Sequence, residues 1–283
     1  MWVKRAVLAI VTLVVLVAVG VYAGSEGVRR RTYDVSLGVT SATPADPEAI
    51  AQGERTAKIL GCYGGCHGSR LEGRLFFSEP GVADLVAPNL TEVAASYSDA
   101  ELERAIRHGI RRDGTGLFVM PSAAFYHLAD EDLRNLLAFL RHLPPMPGYA
   151  GTTSIGPIGR VGLVTGKFKP MPAIIDHAAP RVPRGDANDP MARGRYLARI
   201  ACAECHGDTL QGGFDGRAPT LAIAAAYSDE AFRHLLRTGE PLVERDLYVM
   251  DDAARGRFTH FTDEEIAALH TYLRSIPAPQ AAP

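Results

Sequence analysis

CYGGCH, residues 62–67, and CAECH, residues 202–206, are the two stretches that decide how this chain is read. In each, two cysteines are followed at once by a histidine. They differ by a single residue: three residues separate Cys62 from Cys66, and two separate Cys202 from Cys205. The chain has four cysteines in all, so none lies outside these pairs.

Working outward, both stretches sit in the same surroundings. AQGERTAKILGCYGGCHGSRLEG (51–73) resembles ARGRYLARIACAECHGDTLQGG (192–213). APNL (87–90) pairs with APTL (218–221), and YSDAELERAIRHG (97–109) pairs with YSDEAFRHLLRTG (227–239) without a gap. FVMP (118–121) stands opposite YVMD (248–251), and LADEDLRNLLAFLRHLP (128–144) opposite FTDEEIAALHTYLRSIP (261–277). The order never changes, which is the signature of one unit used twice.

Each unit reads as helices. An amphipathic stretch precedes the cysteines at 47–61 and 189–201. Ser98 with Glu101, and Thr262 with Glu265, have the spacing of capping boxes. Leu102, Ile106 and Ile110 follow at helical intervals, as do Leu133, Leu136, Leu137 and Leu140, and later Ile266, Leu269 and Leu273. No segment alternates as a strand does, so the expected class is all-α. Residues 144–185 are rich in Gly and Pro, as in PPMPG, GPIGRVG and KPMP, and are expected to form an extended connector on the surfaces of the units.

The chemistry follows from the residue types. C-x-x-C-H is the pattern at which a haem is tied to a chain through two thioethers, with the histidine as iron ligand. A haem also needs a second ligand and an apolar cover. Both units supply candidates in one order: Cys62, Cys66 and His67, then Pro88, then Met120; Cys202, Cys205 and His206, then Pro219, then Met250. Thioether sulfur is a soft ligand, and His/Met ligation raises the reduction potential, as an electron carrier requires. Met250 is the only methionine after His206, and Met120 aligns with it. The bland reading of each methionine is a core gap-filler. His108, His127, His142, His177, His234, His260 and His270 occupy no matched positions; His127 and His260 lie nearest a repeat boundary. Two disulfides are the alternative for four cysteines of an exported chain. Zinc is the alternative for a Cys₂His set, and needs a fourth hard or thiolate donor. In the longer loop, Gly64 and Gly65 can take the positive φ that a bulged turn needs.

On these residues the chain resembles the class I cytochrome c family, as two tandem domains at 46–147 and 186–278. It is similar to membrane-anchored dihaem cytochromes c of bacterial respiratory chains. The resemblance implies two covalent haem c groups, with His67, Met120, His206 and Met250 on the irons. It also implies that Pro88 and Pro219 offer their carbonyls to the second nitrogen of each histidine. The extra residue between Cys62 and Cys66 departs from the family pattern. The implied work is electron relay between a donor dehydrogenase or quinol-oxidising complex and an acceptor such as a terminal oxidase, with no catalytic residues. A dihaem peroxidase, or the cytochrome subunit of a larger dehydrogenase, are the rival functions.

Residues 6–23 are 18 residues without a charge, close to the about 20 needed to span a bilayer. Residues 1–24 are therefore expected to be a transmembrane anchor. Val21-Tyr22-Ala23 also fits a signal-peptide cleavage site. Residues 25–45 follow as a linker and 279–283 as a tail. Lys4 and Arg5 precede the apolar stretch and Arg29, Arg30 and Arg31 follow it, so charge alone does not orient it. Haem attachment of this kind implies that the bulk faces the periplasm. The net charge of −2 speaks against nucleic acid. It is unevenly spread: residues 46–147 carry 10 basic and 14 acidic side chains, 186–278 carry 10 and 15, and the connector 148–185 carries 5 and 1. A basic connector between acidic units is expected to lie against one of them.

Overall fold

The computed structural model describes residues 1–36, 46–213 and 216–278. The tail at 279–283 and the linker residues 37–45 lie outside the described residues. α1, Trp2–Arg29, is a single helix. Its apolar side chains are exposed from Val3 to Val19, but Ser25 is fully buried. The helix thus runs five residues past the expected anchor boundary and ends docked on the rest of the protein.

The first unit contains α2 (Pro47–Ile59), α3 (Leu90–Ser96), α4 (Asp99–His108), α5 (Ser122–Phe125) and α6 (Asp130–His142). α7 (Pro157–Val164) lies in the connector. The second unit contains α8 (Pro190–Ala201), α9 (Ala203–His206), α10 (Asp229–Thr238), α11 (Val249–Gly256) and α12 (Asp263–Leu273). The same devices start the matching helices. Asp46 accepts from the Ala49 N–H and Asp189 from the Ala192 N–H, each followed by a proline at the first helical position, where its missing donor costs nothing. Ser98 and Ser228 cap α4 and α10, and Gly109 and Gly239 close them in the left-handed conformation. Both expected capping boxes are formed.

Within each unit the first helix crosses the last at a glycine. A Cβ on Gly53 would stand 1.8 Å from the Asn135 carbonyl oxygen, and one on Gly194 would stand 2.0 Å from that of Ala268. The backbones touch there, so the crossing admits no side chain. Around the crossings one continuous apolar cluster runs through both units, from Leu133, Leu137 and Phe139 to Tyr196, Leu236 and Leu269.

Two expectations need correction. The chain is mostly helical but not all-α: β1 (Arg74–Glu79), β2 (Ala83–Ala87) and β3 (Ser154–Ile155) form an antiparallel sheet in that order. The β1–β2 hairpin lies between Gly73 and Pro88, where the second unit has only the short link from Gly212 to Pro219. Nor is the connector simply extended, since it supplies β3, α7 and a 3-10 turn at Met171–Ala173. It does lie on the first unit. The Tyr126 hydroxyl donates to the carbonyls of His177 and Ala179, and Val182 N–H donates to His127. Its basic residues meet the acidic start of α6: Arg181 pairs with Asp130, and Arg184 with Glu131 and Asp132.

The two units meet through polar groups at the edge of the shared core. Arg55 of α2 reaches the Glu265 carboxylate with both nitrogens, at 2.7 and 3.2 Å, and Arg193 joins at 2.6 Å. Burial alone would raise the Glu265 carboxyl; Arg55, the Thr262 N–H and Arg193 outweigh it and hold the group at about 2. Tyr196, with no exposed surface, donates to Asp132 at 2.5 Å and accepts from the Ala129 N–H at 3.0 Å.

Replacing Gly194 by Ala forces the α8–α12 crossing apart. It is expected to cost about 1–3 kcal/mol or more, the range for overpacking. Gly256→Ala, where a Cβ meets nothing within 4 Å, is expected to be neutral or slightly stabilising. Thermal unfolding of the two variants checks this; similar melting temperatures would reject the close crossing.

Candidate functional site

In both units the histidine closes a turn on the first cysteine. His206 N–H donates to the Cys202 carbonyl at 2.9 Å, four residues back, and His67 N–H donates to the Cys62 carbonyl at 3.0 Å, five residues back. The extra residue of CYGGCH is absorbed by turning an α-type closure into a π-type one. Gly64 makes that possible, with φ +64° and ψ −71°, a conformation closed to residues with a Cβ. Gly65 has no positive φ, so of the two glycines only one serves as expected.

The segment after the histidine is also duplicated. Gly68, Leu71 and Gly73 all have positive φ, as do Gly207, Leu210 and Gly212. Leucine is an uncommon occupant of that region, so the same strain recurring at Leu71 and Leu210 marks a constrained site. Both leucines are buried, and their carbonyls accept from Leu90 N–H and Leu221 N–H, each at 2.8 Å. These bonds bring the proline segments onto the histidine loops. A Cβ on Gly73 would stand 2.8 Å from the Ala87 carbonyl oxygen, and one on Gly212 3.0 Å from that of Ala218.

The approach delivers one carbonyl to each imidazole. His67 Nδ1 lies 2.9 Å from the Pro88 oxygen, and His206 Nδ1 lies 2.8 Å from the Pro219 oxygen. A carbonyl only accepts, so Nδ1 carries the proton and the neutral ring keeps its lone pair on Nε2. Burial lowers the pKa of both histidines, with the proline bonds opposing, which favours the neutral ring. Neither Nε2 has a hydrogen-bond partner among the described residues. Each unit therefore presents a metal-ready nitrogen in fixed orientation.

All four cysteines are free, so the two disulfides are not formed. Burial pushes the Cys62 and Cys202 thiols up to about 12 and Cys205 to about 11, and raises Cys66 as well. Among the described residues no three His, Cys, Asp or Glu side chains converge as a metal site, so the zinc alternative lacks its donors. Free cysteine pairs beside an oriented imidazole fit covalent haem. Met120 and Met250 are both half-buried and pack against the apolar cluster. Met120 lies just before α5, and Met250 in the first turn of α11, two residues after Tyr248 with its strained φ of +53°. Most other histidines are engaged elsewhere: His108 with His177, His127 with Val182, His234 with Glu240, and His270 with Asp229 and the Ala224 carbonyl.

One group escaped the sequence reading. Arg257 links the two cysteine loops: Nε donates to the Ile59 carbonyl at 3.0 Å, and Nη1 pairs with Glu204, between Cys202 and Cys205, at 3.1 Å. Its side chain also lies against Gly61, where a Cβ would meet Nε at 3.0 Å. Nothing in the local pattern around Arg257 signals a contact across nearly 200 residues. The paired leucines were detectable, since G-x-x-L-x-G recurs at 68–73 and 207–212.

Residues 191–277 match the cytochrome c family. The match covers the second unit. Over most of its length the chain is also similar to the cytochrome subunits of dehydrogenases. It is 29% identical to the fructose dehydrogenase cytochrome subunit of Gluconobacter japonicus, over 84% of this chain and 55% of that protein. It is 25% identical to the cytochrome c subunit of alcohol dehydrogenase (quinone) of Gluconobacter oxydans (strain 621H), over 86% and 58%. It is 24% identical to the gluconate 2-dehydrogenase cytochrome c subunit of Pantoea cypripedii, over 84% and 62%. The chain thus spans little more than half the length of the first two. The similarity supports an electron-transfer cytochrome, and a cytochrome c domain implies covalently bound haem c.

Gly64→Ala puts a methyl into open space but strains the backbone, so it is expected to lower stability by about 1–3 kcal/mol. Gly65→Ala, equally open and without positive φ, is expected to change it by less than about 0.5 kcal/mol. Comparing their melting temperatures separates the two; a tolerated alanine at 64 would refute the π-type closure.

Proposed function

We propose that this chain is the membrane-anchored cytochrome subunit of a dehydrogenase, and that it relays single electrons through two covalent haem c groups. The observation that carries the reading is the duplicated site: two free cysteines, a histidine fixed by a proline carbonyl, and a partly buried methionine in matching position. Haem c, once attached, supplies a one-electron centre whose potential rises with His/Met ligation.

The residues of the chain have separate tasks in this reading. Cys62 and Cys66, and Cys202 and Cys205, provide the sulfurs for attachment. His67 and His206 offer Nε2 to the metal, while Pro88 and Pro219 fix the tautomer and the ring plane. Met120 and Met250 would supply a soft sulfur ligand to the iron. The apolar cluster keeps water away, which disfavours the more positively charged oxidised state and so raises the potential. No side chain is required to break a bond or shuttle a proton. Matching methionines favour this carrier over a peroxidase, which needs one open metal position.

Residues 6–23 hold the chain in the bacterial cytoplasmic membrane, with both units on the periplasmic side. One relative is named for a quinone-linked dehydrogenase. The reading therefore takes a dehydrogenase subunit as donor and a membrane quinone as acceptor, in place of the terminal oxidase expected from sequence alone.

Protein made with the haem-attachment machinery is expected to contain two haems per chain in a pyridine haemochrome assay. One per chain would exclude the π-closed loop as an attachment site. Met250→Ala is expected to leave that number unchanged while about half of the haem becomes high-spin and open to carbon monoxide. The potential of that half is expected to fall, since methionine ligation favours the reduced state. An unchanged low-spin spectrum and potential would remove Met250 from the ligand set.

A further inference from the structure

α7 is a short amphipathic helix with one face unaccounted for. Gly159 and Leu163 are buried, and Leu163 belongs to a small core with Ala83, Leu85, Phe118 and Ile155. On the other side Ile158, Val161 and Val164 are 63%, 47% and 46% exposed. Their spacing of three puts them along one side of the helix. Val164 touches Gly24 at the end of α1 and Ile158 lies beside Gly81, but among the described residues the rest of this face stays open.

Several contacts fix the level of α7 along α1. Val164 lies where a Cβ on Gly24 would approach it to 3.2 Å. Arg160 lies over the Tyr22 ring, 4.3 Å from its centre, and its Nη1 donates to Ser25 at 2.7 Å and Glu26 at 2.9 Å. α7 therefore stands beside residues 22–26. That is where the uncharged stretch 6–23 gives way to Glu26, Arg29, Arg30 and Arg31. In a spanning helix this change of polarity marks the boundary between acyl chains and headgroups, where tyrosine is also favoured.

Charge agrees with that placement. Of the five basic residues in the connector, Arg160, Arg181 and Arg184 pair with carboxylates of the protein. Lys167 and Lys169, just after α7, are exposed, and no ion pair joins them to the described residues. An apolar helix face next to unspent cations is the composition of an element that lies in a bilayer surface.

We propose that α7 is seated in the outer headgroup layer of the membrane, with Ile158, Val161 and Val164 among the upper acyl chains and Lys167 and Lys169 on anionic lipid phosphates. This rests on the reading of α1 as a membrane span, and adds a second point of attachment. A helix alone leaves the units free to tilt about its end. The α1–α7 pair, locked by the buried Ser25 and the Arg160 contacts, holds the first unit against the membrane with one face down.

The test uses the full chain, carrying a photoreactive benzoylphenylalanine at Leu13, Val161 or Leu242 in turn. Each protein is reconstituted in vesicles of phosphatidylcholine and phosphatidylglycerol containing radiolabelled phospholipid, and illuminated. Leu13 probes the span, Val161 probes α7, and Leu242, 55% exposed on the second unit, is the control. Labelled lipid on the Leu13 and Val161 proteins, with none on the Leu242 protein, is the expected result. Labelling at Leu13 but not Val161 overturns the seating of α7 and leaves the span standing. Equal labelling at Val161 and Leu242 overturns it as well, because contact would then be unspecific. No labelling at Leu13 removes the span and the seating with it.

Discussion

The carbonyl of one proline in each unit decides where an imidazole can point, and much of the local structure serves that bond. To bring Pro88 to His67, the chain must turn back on itself within about twenty residues. It does so through glycines at positive φ and a leucine held in the same region. The leucine carbonyl takes the first N–H after the Pro-Asn or Pro-Thr pair, which locks the distance. The same construction returns at His206 with a link of six residues between Gly212 and Pro219. The first unit spends the longer link on a β-hairpin and still delivers the carbonyl to within 0.1 Å of the same separation. What both units keep is the bond; what they vary is the chain between its ends.

How far the sequence disclosed this depends on whether a signal was local. Capping boxes are short-range features, and both form where the pattern placed them. The hairpin was hidden because its strands do not alternate. β1 is exposed along nearly its whole length, and a register shift between Leu75 and Phe77 breaks the period of two. The Pro80-Gly81 pair at its turn was the one visible cue. α7 was hidden by its own glycines and proline. Pro157 stands at the first helical position, where it is harmless, and Gly159 is required because a Cβ would stand 2.3 Å from the Val82 carbonyl oxygen. Residues that usually end helices here allow one to pack closely against a strand end. The histidine sites were legible through repetition, whereas Arg257 and Glu265 act between units and leave no trace in a local window.

The interface between the units is where these long-range groups matter. Glu265 is almost fully covered, at 9% side-chain exposure, and a lone carboxylate there would carry a large desolvation cost. Arg193 offsets part of that cost from within the second unit, but Arg55 of the first unit adds its two bonds only when the units are docked in one register. The Tyr196 hydroxyl makes a similar demand, since it must find the Asp132 carboxylate and the Ala129 N–H of the first unit together. Directional bonds of this kind add little net stability but penalise misalignment of an apolar surface that would otherwise slide. A relay of electrons between two sites depends steeply on their separation, so a fixed register is worth more to the proposed function than additional apolar contact.

Arg257 sharpens that argument because it touches both cysteine loops at once. Its guanidinium is mostly covered, with 16% of the side chain exposed, and Nη2 has no hydrogen-bond partner. Glu204 balances the charge from one side only. A buried cation with an incomplete set of partners raises the electrostatic potential around it, and a site beside it gains an electron more readily than an identical site elsewhere. Both loops share this one charge, so its influence is common to the two sites rather than a source of difference between them. Any difference in their electron affinity must come from what is not duplicated. Those parts include the hairpin, the connector and the docked end of α1 on the first unit, and Glu204 inside the cysteine loop of the second. In the proposed reading, the duplicated residues make two carriers of one kind, and the additions on the first unit together with Glu204 on the second set them apart.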